Sequence, residues 1–354
     1  MKNFKTWNEN LTELSLEQRA KYEFNRDYAT VISDVTSYDH SFLRTLLDSH
    51  WKTAMLTGVF GPSRVDEAEA IALLESHHKL RETMVSRTET ESKRIYLWPK
   101  GKVPAFTVYT ENTDYQYADM PDFEPYLLEM PVQDGIEIKG ALLLCAGGGH
   151  MYRSNVEETY EVALEFNKLG YQCFIVNYRV NPYTDEESAL DLARAIRFVR
   201  SRSKHYGISP ESIAVAGFSW GGIIGGLTAD RFGGEVTAKQ YVPSYEPDEL
   251  DSVSADVNVN LCVYSAIPEE LQNADYPPTF LCWGSKDDLI QKMANRSYAQ
   301  LKERGIQTEI HTFAGVPHAF GAGRDAGGRY YPNAAMWIPL ADAFMQHIFG
   351  GDKT

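Results

Sequence analysis

The chain has 354 residues, with 34 Lys and Arg against 49 Asp and Glu, a formal net charge of −15. Hydrophobic residues make up 43% and charged residues 23%, an ordinary globular composition that excludes disorder throughout. This length makes one large domain or two smaller ones, with a core large enough to need no disulfide or metal staple. The acidic surplus repels phosphate backbones and anionic lipids, so neither nucleic acid nor a membrane surface is an expected partner. No run reaches the roughly 18 apolar residues of a transmembrane helix, and MKNFKTWNENLTEL carries no apolar stretch of a secretory leader. Cys145, Cys173, Cys262 and Cys282 each lie inside an apolar run, without metal-ligand spacing. They read as reduced core thiols of a cytoplasmic protein that needs no metal and no cofactor.

Residues 1–93 read as a helical extension, with apolar residues three and four apart near 13–28, 40–57 and 64–92. His77 and His78, in the third segment, read as surface residues. From residue 94 the period changes. RIYLWP, AFTVYT and PYLLEMPV read as strands, and ALLLCA as a strand buried on both faces. Helices are then expected over 155–170, 185–207, 219–232, 289–305 and 334–349, with strands over 171–180, 212–217, 259–266, 277–284 and 308–315 between them. Alternation at this spacing predicts an α/β domain over 94–354, a mostly parallel sheet flanked by helices. The polar stretch 232–258 reads as a loop long enough to form a short lid.

Gly217-Phe218-Ser219-Trp220-Gly221 is a G-x-S-x-G that follows a strand and opens a helix, the context of a nucleophile elbow. Gly147-Gly148-Gly149-His150 directly follows ALLLCA. Three glycines let backbone N–H groups approach a ligand oxygen, so the N–H groups of Gly148, Gly149 and Trp220 are the expected oxyanion donors. The run CAGGGHMY lacks both G-x-G-x-x-G and G-K-[ST], which argues against a dinucleotide or phosphate loop. A serine hydroxyl needs a base. His318, in a loop after the last strand, is the candidate, whereas His205, His311 and His347 read as structural. The carboxylate that orients the histidine comes from Gly284-Ser285-Lys286-Asp287-Asp288. Only one of the neighbours Asp287 and Asp288 faces it, and Asp287 is favoured. The order Ser219, Asp287, His318 is that of α/β-hydrolases rather than of chymotrypsin or subtilisin. His150, Trp220 and Tyr245 are candidate substrate contacts.

With these residues in place, the chain resembles the α/β-hydrolase superfamily, in particular its GGG-loop esterases and lipases, among them acetyl esterases, acetylxylan esterases and feruloyl-esterase-like proteins. GALLLCAGGGHMYRS, LGYQCFIVNYRVNPY, ALDLARAIRFVRSRSKHYGISPESIAVAGFSWGG, PPTFLCWGSKDDLI and AGVPHAFG carry the likeness, over roughly 120–354. The resemblance implies a serine esterase that removes short acyl groups, acetyl above all, from carbohydrates or small alcohols. Gly284-Ser285-Lys286-Asp287 is similar to the family's acid turn, which supports Asp287. Ala146 stands where the family often has His before the three glycines, and Trp220 where it often has Ala. An indole there is expected to narrow the acyl pocket, or to shift to meet a sugar. The competing readings are a serine peptidase or amidase of the same superfamily, and a non-catalytic binding module on the same fold. The N-terminal helices are expected to wall the cleft or to form a homo-oligomer interface.

Overall fold

The computed structural model describes residues 94–109, 119, 121–325 and 329–350, together with two isolated, exposed helical positions, Ala68 and Ala72. The rest of the expected helical extension, including His77 and His78, lies outside the described residues. Eight strands among the described residues form one sheet: β1 Ile95–Tyr96, β2 Tyr126–Met130, β3 Gly140–Cys145, β4 Tyr171–Asn177, β5 Ile213–Phe218, β6 Val259–Val263, β7 Thr279–Gly284 and β8 Thr308–Phe313, in the order β1-β2-β4-β3-β5-β6-β7-β8. β1 and β2 pair antiparallel, β2 joins β4 antiparallel, and all pairs from β4 to β8 are parallel. β3, β5, β6 and β7 are buried at every position, as strands covered by helices on both faces must be.

Among the described residues the helices from residue 94 onward are α1 Glu161–Leu169, α2 Asp185–Ser201, α3 Ser203–Tyr206, α4 Trp220–Arg231, α5 Asp288–Glu303, α6 Pro332–Ala335 and α7 Trp337–Gly350. α2 opens on a capping box, in which Thr184 and Glu187 satisfy each other's backbone N–H groups. α2 and α4 pack on each other, and α7 packs on α1 and on the sheet.

Three sequence expectations need correction. AFTVYT is not a strand. The N–H groups of Phe106 and Thr107 donate to Glu187 Oε1 at 2.9 and 3.2 Å, so a side chain of α2 takes the bonds a neighbouring strand would. The helix expected over 185–207 breaks at Arg202, and α3 closes on Gly207 at φ 68°. The closing helix also splits. Pro339 has no N–H, and its ring excludes the carbonyl of Ala335 from the helical ladder, so α6 ends there and α7 starts afresh.

The stretch 232–258 holds only short turns, Ala238–Gln240 and Glu249–Ser252, and arginines of α2 fasten it down. Arg197 donates to the carbonyls of Gly234 and Val236 at 3.1 and 2.7 Å, and Arg200 to those of Ser254 and Asp256 at 2.5 and 2.6 Å. The four cysteines are buried and unpaired; burial pushes the Cys262 thiol up to about 12. Among the described residues no helix is long and apolar enough to cross a membrane.

The segment leading into the sheet hangs on a buried ion pair. Arg179 donates from Nε and Nη2 to Asp191 at 2.8 and 2.9 Å and from Nη1 to the Pro104 carbonyl at 2.7 Å. Trp98 Nε1–H donates to the same Asp191 at 2.8 Å. Removing one partner of such a pair strands a buried charge. Asp191→Ala is therefore expected to lower the unfolding free energy by about 3–5 kcal/mol in urea denaturation. A loss below about 1 kcal/mol would show that Arg179 finds compensation elsewhere.

Candidate active site

Ser219 sits between the last residue of β5 and the first of α4, at φ 48° and ψ −119°. L residues avoid this region, so the turn is strained and must be held by its surroundings. Ser219 N–H donates to the Val263 carbonyl at 3.1 Å. The flanking glycines are required sterically: a Cβ on Gly217 would lie 2.4 Å from the Gly221 carbonyl oxygen, and one on Gly221 would lie 2.1 Å from that of Cys145. The start of α4 is thus pressed against the end of β3.

His318 lies in the loop after β8. That loop crosses the end of β7 so closely that a Cβ on Gly284 would meet the Val316 carbonyl oxygen at 2.2 Å. Asp287 caps α5, accepting the Ile290 N–H on Oδ1, while Oδ2 accepts His318 Nδ1–H in a short bond. Asp288 is the exposed first residue of α5. His318 Nε2 lies 2.9 Å from Ser219 Oγ. The structure therefore joins Ser219, His318 and Asp287 in one hydrogen-bonded relay. The His318 side chain is 39% exposed and that of Asp287 only 7%, so the imidazole faces incoming ligand while its carboxylate is shielded.

The glycine loop lies beside this relay. A Cβ on Gly147 would be 2.7 Å from Ser219 Cβ. Gly148 and Gly149 have φ of 118° and 63°, values that suit glycine alone. Among the described residues, no group accepts the N–H of Gly148, Gly149 or Trp220. These three donors, with the N-terminus of α4, offer a place for negative charge.

The other candidates divide. Trp220 is half-buried, and its Nε1–H donates to Asp185 Oδ1 at 2.8 Å. His150 is buried, stacks on the indole at 5.8 Å, lies 2.9 Å from Ser188 Oγ, and places Nδ1 3.5 Å from Asp185 Oδ1. Burial pulls the His150 imidazole below its ordinary value, against the opposing pull of Asp185. It supports Trp220 from behind. Tyr245 is not brought to the serine. Its hydroxyl donates to Asp251 Oδ2 at 2.8 Å and its ring meets Trp98 edge-on. It lines a separate cavity of about 500 Å³ with Val103, Pro104, Val242 and Pro247. Arg194, which binds Asp251, stands nine residues beyond Asp185, about 13 Å along α2.

Sequence reasoning missed Asp185, Ser188 and Glu158. Glu158 is buried beneath the glycine loop, and its Oε2 accepts the Gly147 N–H at 2.5 Å. The available signal was spacing: Glu158 shares one helical stripe with the buried Val162 and Phe166. Among the described residues no cluster of three His, Cys, Asp or Glu could hold a metal.

Comparison with solved structures agrees with this fold. The acetyl ester-xyloside bifunctional hydrolase of Caldicellulosiruptor lactoaceticus superposes with a TM-score of 0.58 at 25% identity, covering 72% of this chain and 96% of that one. MGS-M1, an alpha/beta hydrolase enzyme from a Medee basin deep-sea metagenome, gives 0.52 at 19% identity over 64% of this chain and 93% of that one. The chain has the α/β-hydrolase fold. The BD-FAE family model matches residues 130–263 of the chain, from the last residue of β2 through β6. The acetylxylan esterase of Xylanibacter ruminicola is 25% identical over 199 residues, 52% of this chain and 41% of that protein. The probable carboxylic ester hydrolase LipM of Mycobacterium tuberculosis is 28% identical over 186 residues, 43% of each chain. The chain thus resembles acetylxylan esterases and carboxylesterases, and spans less than half the length of these curated relatives.

The glycines of the site separate crowding from backbone strain. Gly221→Ala drives a methyl into the Cys145 carbonyl, whereas at Gly149 the nearest atom to a new Cβ is 3.8 Å away and only the positive φ opposes it. Gly221→Ala is expected to destabilise by 3 kcal/mol or more, and Gly149→Ala by about 1 kcal/mol, in urea melts. Equal losses would contradict the backbone contact between α4 and β3.

Proposed function

We propose that the chain is a serine carboxylic-ester hydrolase, acting on short-acyl esters, acetyl above all, of carbohydrates or small alcohols. The observation that carries this is the Ser219–His318–Asp287 relay beside three unpartnered N–H groups. In this reading Ser219 Oγ attacks the ester carbonyl carbon while His318 Nε2 takes its proton. The carbonyl oxygen becomes an oxyanion held by the N–H groups of Gly148, Gly149 and Trp220. Asp287 fixes the imidazole tautomer and stabilises the imidazolium. The C–O bond to the alcohol breaks, His318 protonates the departing alkoxide, and water, deprotonated by His318, releases the acid from the acyl-enzyme.

The names of the relatives support the ester reading, and those of the acetylxylan esterase and the acetyl ester-xyloside hydrolase favour an acetylated sugar. Trp220 supports the acyl length: an indole bonded to Asp185 and backed by His150 yields little to a longer chain.

Hydrolysis of 4-nitrophenyl acetate, butyrate and octanoate tests the proposal. Ser219→Ala is expected to lower kcat by about 10⁴–10⁶. The wild type is expected to prefer acetate to octanoate by at least about tenfold, and Trp220→Ala to narrow that ratio. Retained activity in Ser219→Ala would remove the nucleophile. An aminoacyl anilide cleaved as fast as the matching ester would turn the assignment to an amidase. Failure of a fluorophosphonate to label Ser219 would leave a binding module.

A further inference from the structure

We infer that Glu158 is a positioning residue for this site: its buried carboxylate ties the glycine loop that supplies the oxyanion donors to the loop that carries the histidine base. The inference rests on the ester-hydrolase reading above.

Glu158 projects from the wide helical turn Val156–Tyr160 that precedes α1, and it is 3% exposed. Its Oε2 accepts the Gly147 N–H at 2.5 Å, and its Oε1 accepts the Tyr264 hydroxyl at 3.0 Å. The Tyr264 oxygen in turn accepts the Gly321 N–H at 3.2 Å. Gly321 is three residues after His318. The Tyr264 ring also meets the His318 ring edge-on, with centroids 5.1 Å apart. One chain of hydrogen bonds therefore runs from the glycine loop to the histidine loop beneath Ser219.

Tyr264 O–H donates to Glu158 Oε1 while its oxygen accepts from Gly321. Glu158 thus accepts a donor on each oxygen, an arrangement the ionised carboxylate meets with no proton of its own to place. Tyr264 itself stands at φ 37°, an unfavourable angle for an aromatic residue. The contacts are also tight. A Cβ on Gly147 would touch both Glu158 Oε2, at 3.1 Å, and Ser219 Cβ, at 2.7 Å. A shift of the carboxylate is thereby passed to the donors and the nucleophile together.

The titratable groups that face Glu158 are His318, Tyr264 and Tyr178. Of these only His318 can become a cation. Burial outweighs the hydrogen bonds and pushes Glu158 up to about 7. Its folded value thus lies above its ordinary one. The stability it contributes is present below the ordinary carboxylate range and is lost as pH rises through about 7. The ionised form, which accepts from both loops, is the one that burial disfavours.

The test uses the full chain with Glu158→Gln and Tyr264→Phe, assayed on 4-nitrophenyl acetate beside wild type and Ser219→Ala. Glutamine keeps one acceptor and loses the charge. For Glu158→Gln, kcat is expected to fall about 10–100-fold, somewhat less than for loss of an oxyanion donor, with KM within about threefold. The acid limb of the kcat profile is expected to change from two protons in wild type to one. The melting temperature of Glu158→Gln relative to wild type is expected to rise between pH 5.5 and 8.5. Tyr264→Phe should lower kcat less, and the double variant should be no worse than Glu158→Gln, because both cut the same chain. If Glu158→Gln does not fold, Tyr264→Phe and its rate of fluorophosphonate labelling at Ser219 decide. A kcat within twofold of wild type and an unchanged acid limb would overturn the inference. So would losses that merely track a lowered melting temperature. If Ser219→Ala is as active as wild type, it is the ester reading that fails. An inactive Ser219→Ala beside an unaffected Glu158→Gln refutes the role of Glu158 alone.

Discussion

Everything at the site depends on a backbone-to-backbone contact with no room for a side chain. Gly221, in the first turn of α4, lies against the carbonyls of Cys145 and Ala146 at the end of β3, and Gly217 lies against Gly221. That contact fixes three things together. It holds Ser219 in a left-handed conformation that it would otherwise leave. It aims the N-terminus of α4 at the space above the serine. It also sets the glycine loop, which continues directly from β3, within touching distance of the nucleophile. Strain at one residue is held by close packing of its neighbours, which deform little.

A second constraint is the handling of charge. The chain is strongly acidic overall, yet Arg153, Arg179, Arg194, Arg197 and Arg200 are buried. Four of them lie on or directly before α2, and their donors go to carboxylates and loop carbonyls that no strand serves. Guanidinium suits this because its five donors satisfy several acceptors at once. The irregular segments on either side of α2 are thereby fastened to it. This explains why 232–258 is long, polar and nonetheless anchored.

Legibility in the sequence followed the range of the interaction. Strands buried on both faces, the serine elbow, the glycine run and the Asp-capped turn are local patterns, and each stands where its residues place it. Asp287 over Asp288 was also local in origin, since a helix cap turns inward and the next residue outward. AFTVYT misled because alternation records which residues want burial, whereas pairing depends on which acceptor arrives. Here the acceptor is Glu187, some 80 residues away. Glu158 was hidden in a helix of ordinary polarity, and its meaning lies in Tyr264 and Gly321, more than 100 residues along the chain. Tyr245 looked like a lid aromatic by composition, but Asp251, six residues later, binds its hydroxyl.

The charges around the serine also bear on what the proposed reaction admits. Asp287, Glu158 and Asp185 all border the relay or its supports, and the positive counterpart is a set of N–H dipoles rather than a fixed cation. A neutral ester enters this field without repulsion. In the proposed reaction negative charge develops on the carbonyl oxygen in the transition state, so N–H donors beside the serine act most strongly at that moment. A site arranged in this way suits a neutral ester, whose charge appears only as the reaction proceeds.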